Sequence, residues 1–185
     1  MLVDIESGFV IYIFVYIVYF LQGIRKLTLR DKIVHTCFFI YICALIDVTL
    51  LPLPLSREKI MYNLEFQDQT NYIHLTPFTM FVGFQASDIF RNYFLNMVMF
   101  MPMGLFLALK YKNNHKFLKP ITIVFLTSLT IETLQYFTSK YLGTWRICDI
   151  DDLIFNTLGG LLALIGSYGI MNVFTYYQNK TSYLK

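Results

Sequence analysis

The stretch DLIFNTLGGLLALIGSYGIMNVFTY, residues 152–176, carries one charged residue, Asp152, at its first position. An α-helix rises about 1.5 Å per residue, so about 20 mostly apolar residues cross a hydrocarbon core of about 30 Å. This stretch exceeds that length. It therefore predicts a transmembrane helix, with lipid around this part of the chain.

The composition of the whole chain extends that prediction. Of the 185 residues, 56% are hydrophobic and 15% are charged, against about 25% charged in a typical soluble domain. A soluble protein of this size has too little interior to bury so much apolar surface. The composition excludes an ordinary cytosolic enzyme, a disordered chain and a nucleic-acid-binding module. The length suits a single membrane domain over residues 1–185.

Five apolar runs are long enough to predict transmembrane helices. They cover residues 8–24, 33–51, 92–109, 118–137 and 152–176. A shorter run, residues 72–84 with Pro77 near its centre, predicts a re-entrant or interfacial segment between the second and third helices. The predicted fold is all-α, a polytopic membrane helical bundle of five transmembrane helices.

Lysine and arginine predict the direction in which the chain crosses the cell membrane. Ten basic residues fall between the first two runs, from the end of the third run to the first turn of the fourth, and in the C-terminal tail. The opposite side carries five basic residues and nine of the twelve acids. Because cytoplasmic loops are rich in lysine and arginine, we expect the N-terminus outside and the C-terminus in the cytoplasm.

Four of the runs carry a polar side chain at nearly one depth, about 6–8 Å below the outer boundary. These side chains are Asp47, Asn96, Glu132 and Asn156. Polar groups are costly in hydrocarbon, so the common depth of these four side chains predicts a polar pocket open to the outer side. Asp47 has no evident partner in the sequence, and it is interpreted equally well as structural or functional.

Helical spacing places the polar residues on common faces. In the fourth run the stripe consists of Ser128, Glu132, Gln135 and Ser139. This stripe either lines the pocket or locks the bundle through inter-helical hydrogen bonds. Asn96 shares a face with Gly104, and Asn156 shares one with Gly159. Small residues at this spacing allow helices to approach closely in lipid.

The loop YLGTWRICDIDD between the fourth and fifth runs adds ionisable side chains. Asp149, Asp152 and Asn156 share one helical face if the fifth helix begins as early as residue 147. Arg146 is the natural counter-ion of the acids. It acts either as their salt-bridge partner or as the receiver of an anion. Asp151 is interpreted equally well as a solvated helix cap or as a functional residue.

Three segments resemble the core signature of the VanZ-like membrane family. They are NMVMFMPMG at residues 96–104, ETLQ at 132–135 and RICDIDDLIFNTLGG at 146–160. With the weaker upstream elements LLP and TPF, the resemblance covers about residues 49–167. It implies a bacterial envelope protein, in particular a Gram-positive one. One member of the family is associated with resistance to the lipoglycopeptide-type antibiotic teicoplanin, and the resemblance supplies no reaction mechanism.

The residues support three hypotheses. In the first, Arg146 and Arg91 receive the phosphate or carboxylate of a membrane lipid, a lipid-linked cell-wall precursor or the antibiotic. In the second, the protein is a membrane-embedded hydrolase or transferase with Glu132 as general acid or base and Asp149 or Asp152 as its partner. In the third, the motifs only hold the bundle and a partner protein carries the activity. The candidate ligand-binding residues are Asn96, Glu132, Gln135, Arg146, Asp149, Asp152, Asn156 and Arg91.

Neither a cofactor nor a metal ion is expected. His35 and His115 fall on the predicted cytoplasmic side, away from His74, so a zinc site built from histidines is not predicted. His74 is interpreted as a surface or hydrogen-bonded histidine. The sequence has no P-loop, dinucleotide fingerprint or G-x-S-x-G motif, and nucleic acid is not an expected partner.

Overall fold

The apolar runs fold as α-helices. A computed structural model of the chain describes residues 4–67, 72–78, 85–111 and 117–182. Within these residues there are six helices, α1 to α6: Phe9–Gln22, Leu29–Leu50, Arg57–Phe66, Ala86–Tyr111, Leu118–Leu142 and Ile150–Ser182. The same residues contain four two-residue strands, β1 to β4: Asp4–Ile5, Leu53–Pro54, Ile73–His74 and Cys148–Asp149. The predicted all-α class is confirmed.

Four helical segments in the described residues are long and apolar enough to cross a membrane. They are Leu29–Leu50, Ala86–Tyr111, Leu118–Leu142 and Ile150–Phe174. Helix α1 is shorter than predicted because it has only 14 residues, between Gly8 and Gly23. Its length of about 21 Å is less than a hydrocarbon core of about 30 Å. The helix lengths therefore establish four candidate spans, and a fifth is not confirmed.

The predicted re-entrant segment is described only in part. Residues 72–78 form β3 and the turn after it, and residues 79–84 lie outside the described residues. In that turn Phe78 has a φ of 63°, a left-handed conformation that is uncommon for a residue with a bulky side chain. The re-entrant or interfacial interpretation stays a prediction.

Helix α3 lies in a stretch that the hydropathy pattern leaves as a loop. Ser56 caps it, because the Ser56 hydroxyl accepts a hydrogen bond from the backbone N–H of Lys59 at 3.2 Å. Thr28 caps α2 in the same way, accepting from the N–H of Asp31 at 3.3 Å. Such hydroxyl caps satisfy donors that a helix leaves without partners at its N-terminus. The hydropathy pattern misses α3 because five of its ten residues carry charged or amide side chains.

The chain forms two compact units. Unit 1 comprises Met1–Pro77 and Leu129–Ile150, and unit 2 comprises Phe78–Ser128 and Asp151–Lys185. The units meet between Ser128 and Leu129, within α5, and again between Ile150 and Asp151, at the start of α6. The three acids that follow Arg146 are therefore divided, with Asp149 in unit 1 and Asp151 and Asp152 in unit 2.

In unit 1, helix α1 packs along α2 through its tyrosines. The Tyr12 hydroxyl donates a hydrogen bond to Asp47 at 2.8 Å, and the N–H of Gly8 donates to the same carboxylate at 3.3 Å. The Tyr16 hydroxyl lies 2.8 Å from Oγ1 of Thr36. Asp47, for which the sequence shows no partner, therefore lies at the N-terminus of α1, where the helix dipole favours a negative charge.

Two short strand pairs complete unit 1. β1 pairs with β2 in antiparallel fashion, and β3 pairs with β4 in parallel fashion. The register of the second pair sets His74 opposite Asp149 and Ile73 opposite Cys148. This pairing brings a residue of the TPF region beside the acidic loop.

In unit 2, glycines bring the backbones of α4 and α6 into contact. A Cβ added at Gly159 would lie 2.0 Å from the carbonyl oxygen of Met97, and one at Gly104 would lie 2.2 Å from that of Gly160. No Cβ fits at such distances. The close approach predicted from the rows of small residues is confirmed for this helix pair. Fully buried apolar side chains of the same unit include Phe100, Val124 and Leu164.

Candidate functional site

The polar stripe predicted along α5 is buried over its whole length. The exposed fractions of Glu132 and Gln135 are 3% and 7%, and Ser128 and Ser139 are fully buried. A buried carboxylate requires hydrogen-bond partners. Oε2 of Glu132 accepts a hydrogen bond from the backbone N–H of Asp149 at 3.0 Å. In unit 1, Glu132 therefore fixes β4 against α5.

The loop between α5 and β4 has a defined conformation. The Ser139 hydroxyl donates to the carbonyl oxygen of Arg146 and lies 3.1 Å from Oγ1 of Thr144. Gly143 has a φ of 68°, which favours glycine. A Cβ at Gly143 would also lie 2.6 Å from the Cβ of Asn63. The stripe on α5 thus holds the loop at both of its ends.

Arg146 reaches the C-terminal end of α2. Its Nη2 atom donates hydrogen bonds to the carbonyl oxygens of Val48, at 3.1 Å, and Leu51, at 2.8 Å. Nearby, Nε2 of Gln135 donates to the carbonyl oxygen of Thr49 at 2.9 Å. The last carbonyls of a helix lack intrahelical partners and form the negative end of the helix dipole. Arg146 and Gln135 together cap α2.

This geometry corrects the prediction that Arg146 is the counter-ion of the acidic loop. Both hydrogen bonds of the guanidinium to described residues go to backbone carbonyls. Within the described part of the chain, Arg146 forms no ion pair, and its Nε and Nη1 atoms donate to no residue. The aligned carbonyls at the end of α2 attract the cation that the acids were expected to bind.

Replacing Arg146 by alanine should lower the free energy of unfolding by about 1–3 kcal/mol, because two carbonyls at the end of α2 lose their donor. The unfolding midpoint of purified protein in detergent measures the change. Arg57→Ala is the matched control, because Arg57 is exposed in the first turn of α3. Its effect should stay within about 0.5 kcal/mol. Equal losses in the two variants would contradict the capping role.

Asp149 lies in β4 and not on a helix. Helix α6 begins at Ile150, so the predicted shared helical face of Asp149, Asp152 and Asn156 does not form. Oδ2 of Asp149 instead lies 3.7 Å from Nδ1 of His74, whose side chain is 39% exposed against 12% for Asp149. The strand pairing creates this contact, since it sets the two residues side by side.

In unit 2, Asp151 is the most deeply buried acid. Its side chain has no exposed surface. Its two oxygens accept hydrogen bonds from the backbone N–H of Phe78 at 2.9 and 3.0 Å, and Oδ2 also accepts from the Tyr93 hydroxyl at 2.8 Å. The Tyr93 ring stacks on Phe155 at 4.0 Å between centroids. The solvated-cap interpretation of Asp151 is wrong, because Asp151 holds the turn at Phe78 to the start of α6.

Two asparagines of unit 2 make the inter-helical contacts that their faces predict. Nδ2 of Asn96 donates to Oδ1 of Asp152, and Nδ2 of Asn156 donates to the Ser128 hydroxyl at 3.0 Å. Asn156 is 1% exposed, and its Oδ1 atom has no hydrogen-bond partner among the described residues. A buried amide oxygen in this state is unusual.

Arg91 is exposed on α4. Within the described residues it has no hydrogen bond or ion pair with any of the other candidates. The candidates thus fall into two sets. One set, in unit 1, contains Glu132, Gln135, Arg146 and Asp149, and the other, in unit 2, contains Arg91, Asn96, Asp152 and Asn156. Their predicted convergence in one pocket stays a prediction.

Two residues of these networks had no role in the sequence-based predictions, whereas His74 was interpreted as a surface or hydrogen-bonded histidine. Tyr93 and Phe78 hold Asp151, and His74 contacts Asp149. Tyr93 had a usable signal, because it precedes Asn96 by three residues and so shares its helical face. Phe78 had none, because its contribution is a backbone N–H. In the described residues, no three His, Cys, Asp or Glu side chains lie close enough to hold a metal ion.

Comparison with known proteins gives a consistent result. The family model described as VanZ/LLP1 matches residues 38–172. Protein VanZ of Enterococcus faecium is 37% identical over 131 residues, which cover 70% of this chain and 72% of that protein. No solved structure matches the chain. The matched region contains α4, α5 and nearly all of the spanning part of α6.

Proposed function

This chain belongs to the VanZ/LLP1 family, and from that membership and its four helices of membrane-spanning length we propose a role in the bacterial cell envelope. The protein binds the anionic head group of a membrane lipid, a lipid-linked cell-wall precursor or a teicoplanin-type antibiotic at the outer surface. Binding alters the response of a Gram-positive cell to glycopeptide and lipoglycopeptide antibiotics. The proposal is supported above all by the guanidinium of Arg146, which within the described residues is held in place by only one of its nitrogen atoms.

The guanidinium of Arg146 is fixed in position but retains donors for a ligand. Nη2 is anchored on two carbonyls of α2, while Nε and Nη1 donate to no described residue. An arginine edge of this kind suits two oxygens of a phosphate or carboxylate. The adjacent Trp145 is half exposed with a φ of 60°. Tryptophan favours the head-group level of a bilayer, which supports the position of Arg146 at the outer surface.

Buried amide oxygens supply acceptors for the donors of such a ligand. In unit 1, Oε1 of Gln135 has no hydrogen-bond partner among the described residues, and in unit 2 the same holds for Oδ1 of Asn156. Hydroxyl or ammonium groups of a head group are suitable donors for either oxygen. The remaining candidate ligand-binding residues belong to unit 2: Asn96 and Asp152, which bond to each other, and the exposed Arg91.

The proposed membrane topology follows the distribution of basic residues. The N-terminus lies outside and the C-terminus in the cytoplasm. Helix α1 crosses as a short fifth span, and the bilayer thins locally to match its length. Cysteine labelling from outside intact cells, at the exposed positions 57 and 140 of a variant without the native cysteines, tests this orientation.

A binding screen on purified protein in lipid nanodiscs tests the function. The probes are teicoplanin, a polyprenyl-linked cell-wall precursor and an anionic phospholipid. Arg146→Lys keeps a cation that reaches the α2 carbonyls but loses the second edge of the guanidinium. It should therefore weaken binding of the preferred probe about tenfold or more, with an unfolding midpoint close to that of the unaltered protein. Glu132→Gln, which keeps the shape of a buried residue, should change binding little.

Two outcomes contradict the proposal. One is that no probe binds, and the other is that Arg146→Lys binds its probe as tightly as the unaltered protein. If Arg146→Lys and Glu132→Gln both simply lose membrane abundance, these polar groups act only in holding the fold, and the hypothesis that a partner protein carries the activity is supported.

A second candidate function is a membrane-embedded hydrolase or transferase acting on a lipid-linked substrate. The contact of 3.7 Å between Asp149 and the partly exposed His74 favours it, because a carboxylate that orients an imidazole is a common acid–base arrangement. Glu132 acts in this candidate as the acid or base, with Asp149 as its partner. Loss of the resistance phenotype in Glu132→Gln, with normal abundance and normal probe binding, would support catalysis over binding.

A further inference from the structure

A cavity of about 340 Å³ lies in unit 2, beside the start of α5 and the later part of α6. Its volume is near the lower end of the range of about 300–1,000 Å³ for small-molecule sites, so it suits one segment of a longer ligand. The rings of Phe117 and Tyr168, with centroids 5.9 Å apart, form part of its wall. The lining residues are Phe117, Ile165, Tyr168, Gly169 and Asn172.

The cavity contains a polar group that lacks a partner. The hydroxyl oxygen of Tyr168 is buried and has no hydrogen-bond partner among the described residues. Buried hydroxyls are normally hydrogen-bonded. Gly169, the next residue of the cavity wall, has free space around it, because a Cβ there would meet no atom within 4 Å. An ester carbonyl of a bound molecule is a suitable acceptor for the Tyr168 hydroxyl.

Two lysines near the start of α5 share one tyrosine ring. The ammonium groups of Lys110 and Lys119 lie 5.8 and 5.3 Å from the ring centroid of Tyr111, and both lysines are exposed. Lys119 is two residues from Phe117 of the cavity wall. No acid occurs in residues 103–128 or 153–185, which carry the lysines Lys110, Lys112, Lys116, Lys119, Lys180 and Lys185. The sequence around Lys110 and Lys119 therefore supplies no acid to neutralise them, and an anionic group is a suitable partner.

We propose that this cavity binds an anionic phospholipid, which is a site separate from the head-group site proposed above. One acyl chain packs against the apolar wall, an ester carbonyl accepts from Tyr168, and the phosphate lies between Lys110 and Lys119. Lysines at the ends of membrane helices attract anionic head groups. A lipid fits better than a soluble anion, because the cavity wall is aromatic and aliphatic and belongs to helices of membrane-spanning length.

Native mass spectrometry of the full chain, released from detergent after incubation with phosphatidylglycerol or phosphatidylcholine, tests the proposal. The unaltered protein should retain one phosphatidylglycerol in preference to phosphatidylcholine. Lys110→Gln and Lys119→Gln should each weaken retention about 5-fold, and the double variant about 25-fold. Gly169→Leu should fill the cavity and reduce retention of both lipids, and Tyr168→Phe should reduce it by a smaller factor.

Lys140→Gln is the matched control. Lys140 is likewise exposed, with its ammonium group 5.4 and 5.7 Å from the ring centroids of Tyr136 and Tyr141, but it belongs to unit 1. Its replacement should leave phosphatidylglycerol retention unchanged. Equal retention of the two lipids, full retention by the double lysine variant, displacement of the lipid by inorganic phosphate, or a second copy of the chain in place of lipid would each overturn the proposal.

Discussion

Replacing Gly159 by alanine should lower the free energy of unfolding by about 3 kcal/mol or more, because there is no space for a methyl group. A Cβ at Gly159 would lie 2.0 Å from the carbonyl oxygen of Met97 and 2.6 Å from its carbonyl carbon and its Cα atom. These are backbone atoms of α4, which cannot rotate away as a flexible side chain can. The helices would have to separate and lose the packing around them. The unfolding midpoint in detergent and the amount of protein in the membrane measure the effect.

Gly166 provides a control in the same helix with the same chemical change. A Cβ at Gly166 would meet no atom within 4 Å, so Gly166→Ala introduces no clash. Alanine is also more favourable than glycine in a helix by about 1 kcal/mol. We therefore expect an unchanged or raised unfolding midpoint for Gly166→Ala. Equal stability of the two alanine variants would mean that α4 and α6 are not in close backbone contact at Gly159.

Replacing Asp151 by alanine should lower the free energy of unfolding by about 2–6 kcal/mol. The backbone N–H of Phe78 and the hydroxyl of Tyr93 would both lose their acceptor. Each donor left without a partner in a buried position costs about 1–3 kcal/mol. The unfolding midpoint in detergent should therefore be lower, and the turn that contains Phe78 should be cut more readily by protease.

Asp151→Asn and Asp88→Ala complete that experiment. Asparagine keeps one acceptor oxygen, so Asp151→Asn should lose less stability than Asp151→Ala. Asp88 is an exposed acid in the first turn of α4, and its removal should cost about 0.3–1 kcal/mol through the helix dipole. The role of Asp151 would be contradicted if Asp151→Ala were no more destabilising than Asp88→Ala.

The pattern of apolar residues predicted the helices because hydropathy and helical periodicity are local properties. The predicted runs 33–51 and 118–137 correspond to Leu29–Leu50 and Leu118–Leu142 in the structure. The run 8–24 likewise corresponds to α1, Phe9–Gln22, but that helix is too short to be established as a membrane span. The pattern of apolar residues missed α3, whose start depends on a capping serine and not on apolar periodicity.

The candidate site was predicted less completely because a hydrogen-bond partner depends on distance in space. Glu132 and Asn156 were found from their unusual depth in apolar runs, and both are buried and hydrogen-bonded. Arg146 was assigned to the acids that are its neighbours in sequence. Its observed partners, Val48 and Leu51, precede it by 98 and 95 residues. The spacing of residues within the loop gives no indication that Arg146 binds these carbonyls.

The sequence by itself determined that this chain forms apolar helices with polar groups on particular faces. The length of an apolar run predicts the helix, and the spacing of residues along it predicts which of them share a face. Only the tertiary structure decided which of the three neighbouring acids is enclosed. Asp149 meets His74 through a strand pair, whereas Asp151 is enclosed by Phe78 and Tyr93. The physical reason is that consecutive residues at a strand-to-helix junction point in different directions, so the packing of distant segments selects the partner of each carboxylate.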